Sequence, residues 1–114
     1  MENKQRVIQE SVPGRQVTIA HIIANPDQKV YEKIGLLEFQ HQALGILTIT
    51  PSEAAIVASD IATKTAAVQI AFMDRFSGAV VMAGDVMAVE AGISAVIETL
   101  DSLLKIRGVK ITRS

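Results

Sequence analysis

ALGILTITPSEAAIVASDIATKTA, residues 43–66, changes its period at Thr50, and that change decides the fold class. Ala43–Thr50 is nearly continuous in apolar and β-branched residues, the composition of a buried strand. Beyond Thr50, Ala54, Val57, Ala58, Ile61 and Thr65 fall on one face at helical spacing. Thr50-Pro51-Ser52-Glu53 marks the junction. Thr50 reads as N-cap, Pro51 as first helical residue and Glu53 as the reciprocal partner of a capping box. Asp60 and Lys64 stand four apart on the helix surface, acid first, as an ion pair prefers.

Moving outward, Val68–Phe76 and Ala79–Ala83 read as two strands joined by a tight turn at Ser77-Gly78. Asp85 is placed to cap a second helix, along which Val89, Ile93, Val96, Ile97, Leu100 and Leu104 form the apolar stripe. Lys105 and Arg107 suit the negative end of that helix, and Gly108 supplies its stop. Val109–Thr112 completes the pattern as a short strand. On the N-terminal side, Gln16–Ala24 reads as a strand with Val17, Ile19, His21 and Ile23 on one face and Thr18, Ala20 and Ile22 on the other. Asn25-Pro26-Asp27 ends it and leads into a short helix, Gln28–Gly35. Leu36–Gln42 is a loop anchored by Phe39.

The unit from Ala43 to Thr112 is therefore β-α-β-β-α-β, an α/β (α+β) sandwich of the ferredoxin-like, split-βαβ kind. Residues 1–15 stand apart. They carry an alternating stretch, Arg6 to Val12, closed by Pro13-Gly14, which reads as one strand with no partner nearby in sequence.

Composition limits the chemistry. Only Tyr31, Phe39, Phe72 and Phe76 are aromatic in 114 residues, so the core is built from aliphatic side chains. A net charge of −1 lacks the basic excess of a nucleic-acid binder. Cysteine is absent, which removes disulfides, thiolate chemistry and sulfur-ligated metals. No apolar run is long enough to span a membrane, and the start, MENKQRVIQESVPG, lacks a secretory signal, so a soluble cytosolic protein is expected. His21 and His41 lie on separate segments without metal-ligand spacing. His21 reads as a packed core or interface histidine, and His41 as an exposed loop residue. No serine elbow, phosphate loop or dinucleotide motif is present, so neither a catalytic residue, a cofactor nor a metal is expected. Asp74-Arg75 is the one charged pair in a notable place, beside the hairpin tip.

Three segments together carry a resemblance: GILTITPSEAAIVASDIATKTAAVQIAF (45–72), DRFSGAVVMAGDVMAVEAG (74–92) and RVIQESVPGRQVTIAHIIANP (6–26). In this order they resemble the shell domain of bacterial microcompartments, in its circularly permuted, hexamer-forming variety from ethanolamine, propanediol and choline utilisation. The common form places a strand and short helix like Val17–Gly35 after the second long helix; here they come first. The resemblance implies a cytoplasmic shell protein without enzymatic activity. Its homohexamers would tile with other shell proteins around enzymes that make an aldehyde. It places Phe76, Ser77 and Gly78 in the loop around the sixfold axis and Lys64 at the edge between hexamers. Asn25 occupies a second edge position where the common form has arginine. Residues 1–15 become a tail, and Arg6, Val7, Ile8, Gln9, Glu10, Ser11 and Val12 of six copies form a small β-barrel over the pore; residues 16–114 form the shell domain. An inward ring of six Glu10 carboxylates would be costly without counter-charge, which favours Val7, Gln9 and Ser11 on the inside of that barrel. Two further roles stay open at this stage: a metabolite-sensing ferredoxin-like domain, and docking of encapsulated enzymes or their targeting peptides.

Overall fold

The computed structural model describes residues 14–114. Five strands form one sheet: β1 (Gln16–Ile23), β2 (Ala43–Thr50), β3 (Gln69–Asp74), β4 (Ala79–Gly84) and β5 (Thr112–Arg113). Three helices join them, α1 (Gln28–Lys33), α2 (Ala54–Thr65) and α3 (Val86–Leu104), with a 3-10 turn at Leu37–Phe39. The strand order is β3-β4-β2-β1-β5. β2 lies at the centre, antiparallel to both β4 and β1, and β5 runs parallel to β1 at the far edge. The β-α-β-β-α-β unit is thus present, with β1 inserted between its first and last strands.

Helices α2 and α3 cover one face of this mixed α+β sheet. Val17, Ala20, Ile22, Leu47, Ile49, Val80 and Met82 meet Ala58 and Ala62 of α2 and Val89, Ile93, Val96 and Leu100 of α3 in one core. On the opposite face α1 and the 3-10 turn set Tyr31 and Phe39 over Leu44 and Ala83. The Tyr31 hydroxyl donates to the Gln42 carbonyl, which satisfies its polar end inside an apolar site.

Several local expectations change. Thr50 stays in β2 and caps nothing, and the Thr50-Pro51 peptide is cis. The α2 entrance is instead a tight turn in which the N–H groups of Ala54, Ala55 and Ile56 donate to the carbonyls of Pro51, Ser52 and Glu53. The buried stripe of α2 is Ala54, Ala55, Ala58, Ser59 and Ala62, and Val57 faces out. Small side chains let the helix settle close against its neighbours, a contact the larger valine would prevent. A bulge at Thr18 resets the alternation of β1, so Val17 joins Ala20 and Ile22 on the helix side. Asp85 holds the N-cap position of α3 without a side-chain bond. Its C-terminus is closed by Lys105 in the left-handed conformation (φ 56°), with the Lys105 and Ile106 amides returning to Asp101 and Leu100. Arg15 adds a guanidinium bond to the Leu104 carbonyl at 3.1 Å, where the helix dipole favours a cation. Gly108 serves packing: a Cβ there would lie 2.6 Å from Ile97 Cγ2. Leu104 is partly exposed, and the final strand is Thr112–Arg113, preceded by a single bridge from Arg107 to Gln16.

Candidate assembly surfaces

The β3–β4 connection is a four-residue loop, Arg75–Gly78, since Asp74 pairs with Ala79 across the hairpin. This is longer than the two-residue turn expected from Ser77-Gly78. Asp74 organises it. Its Oδ1 accepts from the Phe76 N–H at 2.9 Å, and its carbonyl accepts from the Gly78 N–H at 2.8 Å. The Phe76 amide first, then the Ser77 hydroxyl, hold the Asp74 carboxyl below the usual carboxylate range. Gly78 has φ +83°, and a Cβ on it would stand 2.1 Å from the Ile49 carbonyl oxygen. Its own carbonyl accepts from the Ile49 N–H at 3.0 Å, which stitches the loop to the centre of the sheet. The tip is left open to solvent. Phe76 is 80% exposed, with the Arg75 guanidinium 5.0 Å above its ring.

Strand register places the other candidates at the opposite end. Asp74, Ala79, Thr48 and Gln16 mark the loop end of the sheet; Gln69, Ala83, Leu44 and Ile23 mark the far end. Asn25 follows β1 there and is exposed. Lys64, in the last turn of α2 before β3 begins, also lies toward that end. It bonds Asp60 at 3.0 Å, with both side chains largely in water, as the spacing implied. Six residues of strand separate the two ends, roughly 20 Å. Phe76, Ser77 and Gly78 therefore lie at one end of the sheet, and Lys64 and Asn25 lie toward the other. Arg6–Val12 lie outside the described residues. Their attachment does not: Gly14 and Arg15 precede Gln16, so the N-terminal segment joins the domain at the loop end.

His21 is neither core nor isolated. Its Nδ1 is 2.6 Å from Thr112 Oγ1 and its Nε2 2.8 Å from Ser114 Oγ, so it buckles the chain's last residues to β1. Arg113 adds an ion pair with Glu90 at 2.9 Å. Sequence reading missed this arrangement because only the sheet order brings residues 21 and 112–114 together. Ile19, Ile34, Leu37, Ile56, Val57 and Phe72 leave a third to a half of their surface in water. Among the described residues no group of three or more His, Asp or Glu side chains is placed to hold a metal ion. A shallow groove between Arg15, Pro51, Leu104 and Ile106 presents no convergent polar groups suited to a substrate.

A model of the BMC domain matches residues 43–112, more than half of the chain. The chain belongs to the BMC domain family of bacterial microcompartment shell proteins. It is 55% identical over 109 residues to the shell protein PduU of Salmonella typhimurium, covering 96% of this chain and 93% of PduU. Among solved structures it is similar to the flat hexamer of CutR, with a TM-score of 0.84 and 37% identity over 100% of this chain and 97% of that one. A CutR screw matches with a TM-score of 0.82 and 40% identity, over 90% of this chain and 100% of that one. The permutation of this BMC protein is visible in its sheet. β1 lies outside the matched 43–112, yet it sits inside the sheet between β2 and β5. A strand that the common form supplies from the C-terminal side is here supplied from the N-terminal side. These relatives are structural shell proteins, and this chain is one as well, not an enzyme.

Proposed function

We propose that this shell protein works as a cyclic homohexamer, a tile that packs with other shell proteins into the facets of a cytoplasmic microcompartment around aldehyde-producing enzymes. The observation that carries this reading is the similarity, over the whole chain, to a flat hexamer. The layout of the subunit supports it. Loop 75–78 and the attachment of the N-terminal segment share one end of the sheet, suited to an axis, while Lys64 and Asn25 share the other, suited to an outer edge. The exposed apolar residues on α2 and β3 supply surface for neighbouring subunits. In this reading residues 6–12 of six chains close into a barrel over the axis and occlude the pore. A closed barrel leaves none of the unpaired edges that a lone strand would expose.

Native mass spectrometry tests the assembly. Six copies of the 12.2 kDa chain give a particle of about 73 kDa; a monomer, dimer or trimer at micromolar concentration sinks the reading, and an open screw seen by electron microscopy restricts it to the subunit. The edge assignment has its own test. Lys64→Asp leaves the hexamer intact and abolishes extended sheets under the microscope. Loss of the hexamer itself would show that Lys64 lies within the ring and not on its rim.

A further inference from the structure

His21 holds a hydroxyl on each of its ring nitrogens, and a third hydrogen bond sets the direction of both. The Thr112 hydroxyl donates to the Ala20 carbonyl at 3.4 Å. The same oxygen, 2.6 Å from His21 Nδ1, therefore accepts there and places the imidazole proton on Nδ1. Neutral imidazole then has its free lone pair on Nε2, which accepts from the Ser114 hydroxyl at 2.8 Å. Ser114 is fixed on both sides. Its N–H donates to the Ile22 carbonyl at 2.8 Å, and its carbonyl accepts from the Ala24 N–H at 3.0 Å. The Arg113–Glu90 ion pair pins the residue before it. Ser114 is exposed and His21 partly buried, so the hydroxyl is open to a reagent while its base stays oriented. A nucleophile bonded to a base that a third group orients is the arrangement that activates a serine.

We propose that Ser114 is a modification site, a hydroxyl that takes an acyl group from an activated donor such as a thioester or a phenyl ester. His21 is its general base and Thr112 a positioning residue. All three come from one subunit, so the site does not depend on how subunits assemble. Ser114 Oγ attacks the acyl carbonyl carbon as its proton passes to His21 Nε2. The new C–O bond forms, and the bond to the leaving sulfur or oxygen breaks with its electron pair. The proton then goes to the leaving group or to water. The surroundings of the hydroxyl set the donor class. The Ser114 N–H is committed to Ile22 and offers nothing to a developing oxyanion, so a good leaving group must lower the barrier instead. A serine alkoxide is a poorer leaving group than a thiolate or a phenolate. The ester therefore accumulates once per chain and is not turned over, which is marking of the β1–β5 edge and not enzymatic activity.

The probe is p-nitrophenyl acetate, applied to the full-length protein near neutral pH, with acetylated residues located by mass spectrometry after cleavage at acidic residues. Ser102 and Ser114 then share one peptide, 102–114, and Ser102, exposed on α3, is the internal reference. Wild-type protein acetylates Ser114 about tenfold or more faster than Ser102. His21→Gln keeps a hydrogen-bonding amide in place of the ring but no base, and brings Ser114 down to the rate of Ser102. Thr112→Val, which keeps the shape and loses the hydroxyl, lowers the rate, and Thr112→Ser restores it. Amide exchange at Ser114 and Ala24 checks that the C-terminal residues stay on β1 in each variant. If His21→Gln releases them, the contrast between valine and serine at 112 decides. Ser114 acetylated no faster than Ser102 in wild type overturns the site. Fast acetylation that survives both His21→Gln and Thr112→Val overturns the role of His21. Label confined to lysines, the N-terminus or His21 itself is surface chemistry only and overturns the site as well.

Discussion

Gly78→Ala isolates how much of the domain's stability is held in the loop end of the sheet. Two costs combine. The backbone at Gly78 has φ +83°, where an L-residue with a Cβ pays about 1–2 kcal/mol. The new Cβ would also stand 2.1 Å from the Ile49 carbonyl oxygen, a backbone atom that cannot rotate away. Relieving that contact displaces Gly78 from its hydrogen bonds with Ile49 and Asp74, each worth a net ~0.5–1.5 kcal/mol. The total is about 2–5 kcal/mol, a large share of the ~5–15 kcal/mol typical of a domain. Gly35→Ala is the control. Gly35 has φ +74° but open space around its Cβ position, so it carries the conformational cost of about 1–2 kcal/mol alone. Urea unfolding at one fixed protein concentration reads both as shifts in midpoint at constant slope. The expected order is wild type, then Gly35→Ala, then Gly78→Ala by a clear further margin. Equal midpoints for the two variants would refute the steric part, showing that the loop moves away from β2 without loss.

Gly45→Ala should destabilise by about 1–3 kcal/mol, because its Cβ would lie 2.6 Å from Val89 Cγ1 and 2.9 Å from Ile93 Cδ1 and push α3 off the sheet. In α3 itself Gly92→Ala should be neutral or stabilising by up to ~1 kcal/mol, since its nearest contact is the thioether of Met82 at 3.1 Å and alanine is the better helix former. Thermal unfolding of the pair checks the contrast, and equal losses would argue against it. Asp74→Asn tests the loop's carboxylate. A folded pKa held below the unfolded value of about 3.9 adds stability above that pH and loses it as the pH falls through the folded value. The urea-midpoint difference between wild type and Asp74→Asn should thus be constant from near neutral pH down to about 5 and shrink below about 4; a pH-independent difference would place the effect elsewhere. His21→Ala removes both side-chain bonds to the C-terminal residues, a loss of about 1–3 kcal/mol, and should speed amide exchange at Ser114 and Ala24 before that of β2.

Much of this protein was legible in its residues alone. The switch at Thr50 from strand to helical period, the apolar stripe of α3 and the glycine at the hairpin all act through near neighbours in sequence. Local patterns therefore located β2, α2, β3, β4 and α3 to within a few residues, and the Asp60–Lys64 pair formed at its helical spacing. The order and spacing of three segments were also enough to name the family. What escaped depended on partners far along the chain. Which face of α2 is buried follows from how closely α3 and the sheet approach, so the alanines won over Val57. The bulge at Thr18 exists only in the pairing with β2.

The functional layout divides in the same way. Residue types and spacing determined the absence of cysteine chemistry and of a recognised catalytic motif, and the resemblance to the shell domain picked out the candidate loop and edge residues. The tertiary structure decided their separation: the register of an antiparallel sheet sends Phe76 to one end and Lys64 and Asn25 to the other. It also decided that His21 bonds Thr112 and Ser114 and that the Asp74 carboxylate accepts from the Phe76 amide. Hydrogen bonds reach only about 3 Å, so which groups meet depends on the sheet order, and strand order is set by packing between residues that no local pattern relates.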